Sequence, residues 1–192
     1  MSPFLVIAYY TPGNQYEALS ENLKESCNNL GIPLFLKPIQ DLGSWERNTH
    51  YKANFIEECL NSYTQNLVYV DVDAVFRKYP TIFDSLNCDI AYRTENFKWR
   101  KNEALSGTIF LNNNERVKTL VKNWISVNNA IPAIRRVPTT WEQANMQKAV
   151  QSNPLIKYYN LPPEYTYIFD HTKKMYPDIE PIIEHFQASR KI

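Results

Sequence analysis

Apolar and polar positions fall into blocks along the chain. Phe4-Leu5-Val6-Ile7-Ala8-Tyr9-Tyr10 is almost wholly apolar and is closed by the turn signature Thr11-Pro12-Gly13-Asn14, so a short buried strand is predicted over 4–10. Tyr16, Leu19, Leu23, Cys27 and Leu30 then recur at spacings of three and four, which predicts an amphipathic helix ended by Gly31. Residues 32–39, with proline towards both ends, predict a second strand. Residues 40–50 carry Gly43, Ser44 and Asn48 and read as a loop, and Phe55, Ile56, Cys59 and Leu60 mark a second helix. Asn66-Leu67-Val68-Tyr69-Val70, the most strand-like segment, runs into Asp71-Val72-Asp73. The order βαβαβ predicts parallel strands with helices on the faces of the sheet.

The second half is less regular. Strands are predicted over 88–93 and over Leu105-Ser106-Gly107-Thr108-Ile109-Phe110-Leu111, separated by a polar, exposed loop over 94–104. Val117, Leu120, Val121, Trp124 and Ile125 form the cleanest helical stripe, and a further helix is predicted near 141–151 beyond Pro132 and Pro138. No repeat, linker or low-complexity tract divides the chain. The expectation is one α/β domain over 1–192, with a nucleotide-binding half at 1–76 and a second half at 77–192.

Composition removes several classes. The four glycines, Gly13, Gly31, Gly43 and Gly107, are too dispersed for a dinucleotide fingerprint or a P-loop, so a phosphorylated ligand would need another cradle. Lys+Arg 21 against Asp+Glu 20 leaves a net charge of +1, which argues against nucleic acid as a partner. No window approaches the ~18 consecutive apolar residues of a transmembrane helix, and the N-terminus lacks the basic region of a signal peptide. Cys27, Cys59 and Cys88 sit in apolar contexts and read as buried thiols. A cytoplasmic location is the expectation from these features.

The strongest chemical signal is Asp71-Val72-Asp73 at the carboxyl end of a strand, where open α/β sheets bind ligands. In an extended strand residues i and i+2 share a face, and two adjacent carboxylates are reconciled by a hard divalent cation, Mn2+ or Mg2+, which also bridges a diphosphate. A turn or capping pair is the plainer reading of the same residues. By spacing alone His185 reads first as a structural histidine and only second as a metal ligand, Lys52 as an exposed helix lysine or a phosphate contact, and Gly107 as a bulge or a point of close sugar approach.

Asn66 through Phe76 resembles the D-x-D segment of GT-A-fold glycosyltransferases, and further pieces follow in that family's order. Tyr9-Tyr10-Thr11 matches the place that receives the nucleotide base, and Lys52 that of a basic residue turned to the donor. Leu105 to Phe110, with Ser106 and Gly107, resembles the strand beside the donor sugar. Trp141-Glu142-Gln143 is similar to the acidic residue and Gln that face the reaction centre. Leu161-Pro162-Pro163-Glu164-Tyr165 looks glycogenin-like, and Ile183-Glu184-His185-Phe186 resembles the C-terminal strand whose His completes the metal site.

The resemblance implies a Rossmann-like mixed sheet with helices on both faces. It also implies a metal held by Asp71, Asp73 and His185, with Glu142 and Gln143 as catalytic residues. Donor contacts would come from Tyr9, Tyr10, Thr11, Lys52, Asp71, Ser106, Gly107 and Arg190. The implied reaction moves a hexose from UDP-glucose or UDP-galactose to an acceptor hydroxyl of a glycan or other partner, with retention favoured over inversion. Three departures keep stereochemistry and acceptor open: Glu142 stands where Asp is usual, Gln187-Ala188-Ser189-Arg190 replaces the usual tail, and little chain is left for an acceptor subdomain. A metal-dependent nucleotidyltransferase or phosphohydrolase and a non-catalytic carbohydrate-binding domain are the alternatives. Residues 11–16 hold no Lys or Arg to serve the first of these.

Overall fold

A computed structural model describes residues 2–97, 100–131, 134 and 137–187. Strand β1 (Phe4–Tyr10) pairs in parallel with β2 (Leu34–Pro38) and β3 (Asn66–Val70), and the crossovers carry α1 (Gln15–Asn29) and α2 (Trp45–Ser62). Strand β6 (Glu103–Leu111) then runs antiparallel to both β3 and β5 (Ile90–Glu95), and β7 (Tyr158–Asn160) closes the edge. The result is a mixed six-stranded sheet in the order β2-β1-β3-β6-β5-β7, which draws strands from both halves of the chain.

Side-chain alternation splits each central strand between two cores. Leu5, Ile7, Leu67 and Tyr69 face α2, α3 (Glu115–Ala130) and α4 (Glu142–Gln151), where Phe55, Val121 and Trp124 fill the layer. Phe4, Val6, Val68 and Val70 face α1, where Leu23, Cys27 and Phe83 fill the other. This is why runs 4–10 and 66–70 are almost continuously apolar: both of their faces are covered. The three cysteines are free and buried, and burial pushes the Cys27 and Cys59 thiols up to about 12. Leu161 and Tyr165, from the glycogenin-like segment, pack into the second core, with Tyr165 edge-on to Phe83. No helix among the described residues is long and apolar enough to cross a membrane.

Two segments read as loops are more ordered than expected. Within 40–50, α2 starts at Trp45, because the Ser44 side chain caps it by accepting from the Arg47 N–H. Within 94–104, β5 continues to Glu95 and β6 begins at Glu103. Arg93 and Glu95, two apart and on one face, form a buried ion pair, so a strand that looks too charged neutralises itself. The short β4 (Ala74–Phe76) was not foreseen. It pairs with β9 (Ile183–His185), which also pairs with β8 (Tyr167–Ile168), to make a separate three-stranded sheet.

Candidate active site

The two aspartates converge by a route other than strand alternation. Strand β3 stops at Val70, and residues 71–73 form a turn in which the Ala74 N–H donates to Asp71 O at 2.9 Å. The antiparallel pairing of β4 with β9 sets His185 opposite Ala74, delivering a residue more than a hundred positions away in sequence to the turn. The Phe186 N–H donates to Asp73 O at 3.3 Å and ties the tail to the same turn. Ligand atoms of Asp71, Asp73 and His185 lie within 4.8 Å of one another.

The imidazole is oriented from behind. His185 Nε2 lies 2.9 Å from the hydroxyl of the wholly buried Thr108, and Nδ1 lies 3.6 Å from Asp73 Oδ1. With Nε2–H donated to Thr108, the Nδ1 lone pair faces the carboxylates, the arrangement a metal ligand needs. Two carboxylates and a neutral imidazole suit Mn2+ or Mg2+, so the residues present fit the implied ion. Replacing Thr108 by Val is expected to weaken Mn2+ binding about 10- to 100-fold, as loss of a group that orients a ligand does, measured by titration calorimetry.

Gly107 lies against this cluster. A Cβ there would stand 3.1 Å from His185 Cε1, 3.2 Å from His185 Nδ1 and 3.5 Å from Asp71 Oδ2. Its missing side chain therefore makes room for the triad. It lies where the β5–β6 register shifts, opposite Tyr92/Arg93, so the bulge is present, and the groups that come close to it are the His185 ring and Asp71. Gly107→Ala is expected to displace the His185 ring by a few tenths of an ångström and weaken Mn2+ binding about tenfold without unfolding the chain, checked by calorimetry and thermal melting.

Lys52 is no exposed helix lysine. Its ammonium, on buried α2 surface, lies 3.1 Å from Asp71 Oδ1, 2.8 Å from Glu142 Oε1 and 3.0 Å from Ser106 Oγ. Burial alone would lower its pKa, but the Asp71 and Glu142 charges outweigh it and hold the group above the ordinary lysine value. Glu142, the first residue of α4, also accepts from the Ser106 hydroxyl at 2.5 Å through Oε1, whereas its buried Oε2 has no hydrogen-bond partner among the described residues. Burial pushes Glu142 up, and Lys52 and Ser106 offset this only in part. The Tyr69 hydroxyl donates to Asp71 Oδ1 at 2.9 Å, so one aspartate oxygen is held from within the fold.

All predicted site residues among those described line one cavity of about 830 Å³ at the carboxyl ends of β1 and β3. Arg190 lies outside the described residues. At the β1 end, Tyr9 is locked edge-on against Tyr51 and Phe55 and donates its hydroxyl to Asn48 O at 2.7 Å. Tyr10 has no ring partner among the described residues, and Thr11 accepts from the Asn14 side chain, the N-cap of α1, at 2.9 Å. Gln143 donates to Glu103 at 2.7 Å. Sequence reasoning missed Glu103, which lines the cavity, and the wholly buried Thr108 behind His185; Thr108 stands two positions from Ser106 in β6, a spacing that could have flagged it.

No protein-family model and no curated protein sequence matches the chain. Solved structures do. One is a glycosyltransferase involved in the glycosylation of the major capsid of PBCV-1, with a TM-score of 0.73 at 16% identity over 96% of this chain and 93% of that one. The apo form of the glycosyltransferase GlyE of Streptococcus pneumoniae TIGR4 gives a TM-score of 0.67 at 15% identity over 95% of this chain and 54% of that one. The bifunctional glycosyltransferase WbbM gives 0.67 at 12% identity over 97% of this chain and 46% of that one. The chain thus has the fold of these enzymes, as the GT-A resemblance implied, and spans about half the length of the latter two. The glycogenin-like segment remains a sequence resemblance.

Proposed function

We propose that the protein is a divalent-metal-dependent glycosyltransferase that moves a hexose from a UDP-linked donor to an acceptor hydroxyl. The observation that carries this reading is the meeting, in one cavity of a glycosyltransferase fold, of the Asp71–Asp73–His185 cluster with a buried glutamate, one of whose oxygens has no hydrogen-bond partner among the described residues.

Asp71, Asp73 and His185 would hold Mn2+ or Mg2+. When bound, the ion supplies positive charge to a diphosphate leaving group. Tyr10 offers a ring for the base and Thr11 closes the pocket at the end of β1, with Arg190 as a further cation for the diphosphate. Lys52 and Ser106 fix Glu142 through Oε1, which leaves Oε2 to face the sugar's developing positive charge. Gln143 is set beside it through Glu103. UDP-glucose and UDP-galactose are the donors we assign, and retention is the stereochemical course, on the sequence resemblance.

The test incubates the protein with each UDP-hexose and Mn2+ and follows release of UDP. EDTA is expected to abolish release. Pyrophosphate or hexose phosphate among the products would instead identify a nucleotidyltransferase or phosphohydrolase, and absence of all turnover a carbohydrate binder. Proton NMR of the first-formed anomer decides retention.

A further inference from the structure

The small sheet that carries His185 is joined to the large one at its far edge by a buried arginine. Its middle strand, β9, pairs on one side with β4, which follows directly from the aspartate turn, and on the other with β8. Strand β8 is only the pair Tyr167–Ile168, too short to fix its own place by ladder bonds. Ile168 stands opposite His185, and the Phe169 N–H donates to His185 O at 3.2 Å, so the backbone of His185 follows β8.

Arg93, on β5, holds the chain on both sides of β8. Its Nη1 lies 3.4 Å from Pro163 O, 3.4 Å from Thr166 O and 3.3 Å from the Thr172 hydroxyl. Pro163 and Thr166 bound the turn that leads into β8, and Thr172 lies in α5 (His171–Met175), which follows it. The Thr172 hydroxyl in turn accepts from the Ile168 N–H at 3.0 Å. Glu95 pairs with Nη2, and the Tyr176 ring centre lies 5.3 Å from the guanidinium carbon. Arg93, Glu95, Thr166 and Thr172 are all buried. A planar fork of several donors, fixed by one carboxylate, suits such a spread of acceptors.

Stability alone does not account for this pair, because a buried ion pair is often no better than apolar residues of the same volume. What it supplies is orientation. The β5–β6 register jumps between Tyr92, opposite Ile109, and Arg93, opposite Leu105, which leaves Ser106, Gly107 and Thr108 without partners in β5. On one side of this break Thr108 directs the His185 ring, and on the other Arg93 holds the strand beside the His185 backbone.

We infer that Arg93 is a positioning residue for the metal site: through Thr172 and Ile168 it sets the main chain of His185, and with it the reach of the imidazole towards Asp71 and Asp73. This rests on the metal reading above. Titration calorimetry with Mn2+ tests it on Thr172→Val, which deletes the hydroxyl at nearly constant shape, and Thr172→Ser, which keeps it. Thr172→Val is expected to weaken Mn2+ binding about tenfold, the low end for loss of a group that orients a ligand. Arg93→Lys, whose ammonium can meet Glu95 but not the whole set of acceptors, is expected to do the same. Thr172→Ser is expected to bind as the wild type does. Leu60→Ala, in the core under α2 and away from the cavity, is expected to lower the melting midpoint and leave Mn2+ affinity unchanged. Without metal, the His185 ring proton–carbon NMR cross-peak, assigned by its loss in His185→Gln, is expected to move in Thr172→Val and Arg93→Lys and to stay in Thr172→Ser and Leu60→Ala.

Mn2+ bound at wild-type strength by both Thr172→Val and Arg93→Lys overturns the proposal. An equal loss in Thr172→Ser or in Leu60→Ala overturns it too, since the hydroxyl would then not be the cause. Should Arg93→Lys not fold, the two Thr172 variants decide. Failure of the wild-type protein to bind Mn2+ brings down the metal reading instead. The His185 cross-peak then still decides the linkage, and its staying in place in Thr172→Val overturns it.

Discussion

Asp73→Ala is expected to lower Mn2+-dependent release of UDP from the donor by about 10³-fold. A bound ion at the leaving group is worth several kcal/mol of transition-state charge stabilisation, and each 1.36 kcal/mol is about a factor of ten. Asp73 is the better of the two aspartates to test. Asp71 also accepts from Tyr69 and pairs with Lys52, so its removal would disturb the buried network as well as the metal site. The same variant should lose Mn2+-dependent UDP binding in the calorimeter while its far-ultraviolet circular dichroism is unchanged. Mn2+-dependent UDP binding at wild-type strength in Asp73→Ala would show that the cation is held elsewhere. Because β9 pairs with β4 and carries His185, the proposed third ligand, truncation before Ile183 is expected to abolish Mn2+ binding as fully as Asp73→Ala.

Lys52→Met is expected to cost about 3–5 kcal/mol of folding stability, measured by urea unfolding, because it strips the compensating charge from a buried carboxylate. The substitution keeps the length and apolar stem of the side chain, so the loss reports the charge. Glu142 is the group left uncompensated, since it is almost fully buried. The double variant Lys52→Met/Glu142→Leu should recover much of the loss, since replacing a whole buried pair by apolar groups is often near neutral. Activity would not return with stability, which separates the two roles of Glu142. The pH dependence follows from the sign of the shift. Lys52 is raised in the fold, so its contribution is fully present below the ordinary lysine value of about 10.4 and is lost as pH rises through the raised one. Unfolding midpoints are therefore expected to fall in that alkaline range in the wild type and to stay flatter there in Lys52→Met.

The contrast between Lys52 and Arg93 explains where sequence reading stops. An apolar run covered on both faces is legible as it stands, and so 4–10 and 66–70 were read as strands. A charged residue in a periodic element has no partner visible in one dimension. Lys52 reads as a solvated helix position until α2, β6 and α4 bring Ser106 and Glu142 to it. Glu95 reads as loop until it pairs with Arg93 on the same strand face.

By itself the sequence determined the βαβαβ half, the two-faced burial of its strands, the absence of a glycine cradle and the pair of aspartates after Val70, because each follows from periodicity or from residues adjacent in the chain; that the pair stands in a turn and not on one strand face came from the structure. It also placed the family resemblance on Asp71, Asp73, His185 and Glu142. Only the tertiary structure decided that β4 and β9 pair to set His185 at that turn, that Thr108 directs its imidazole, and that Gly107 leaves room for it. The physical reason is common to all of these: hydrogen-bond geometry and burial are properties of neighbours in space, and the neighbours here come from strands far apart in sequence.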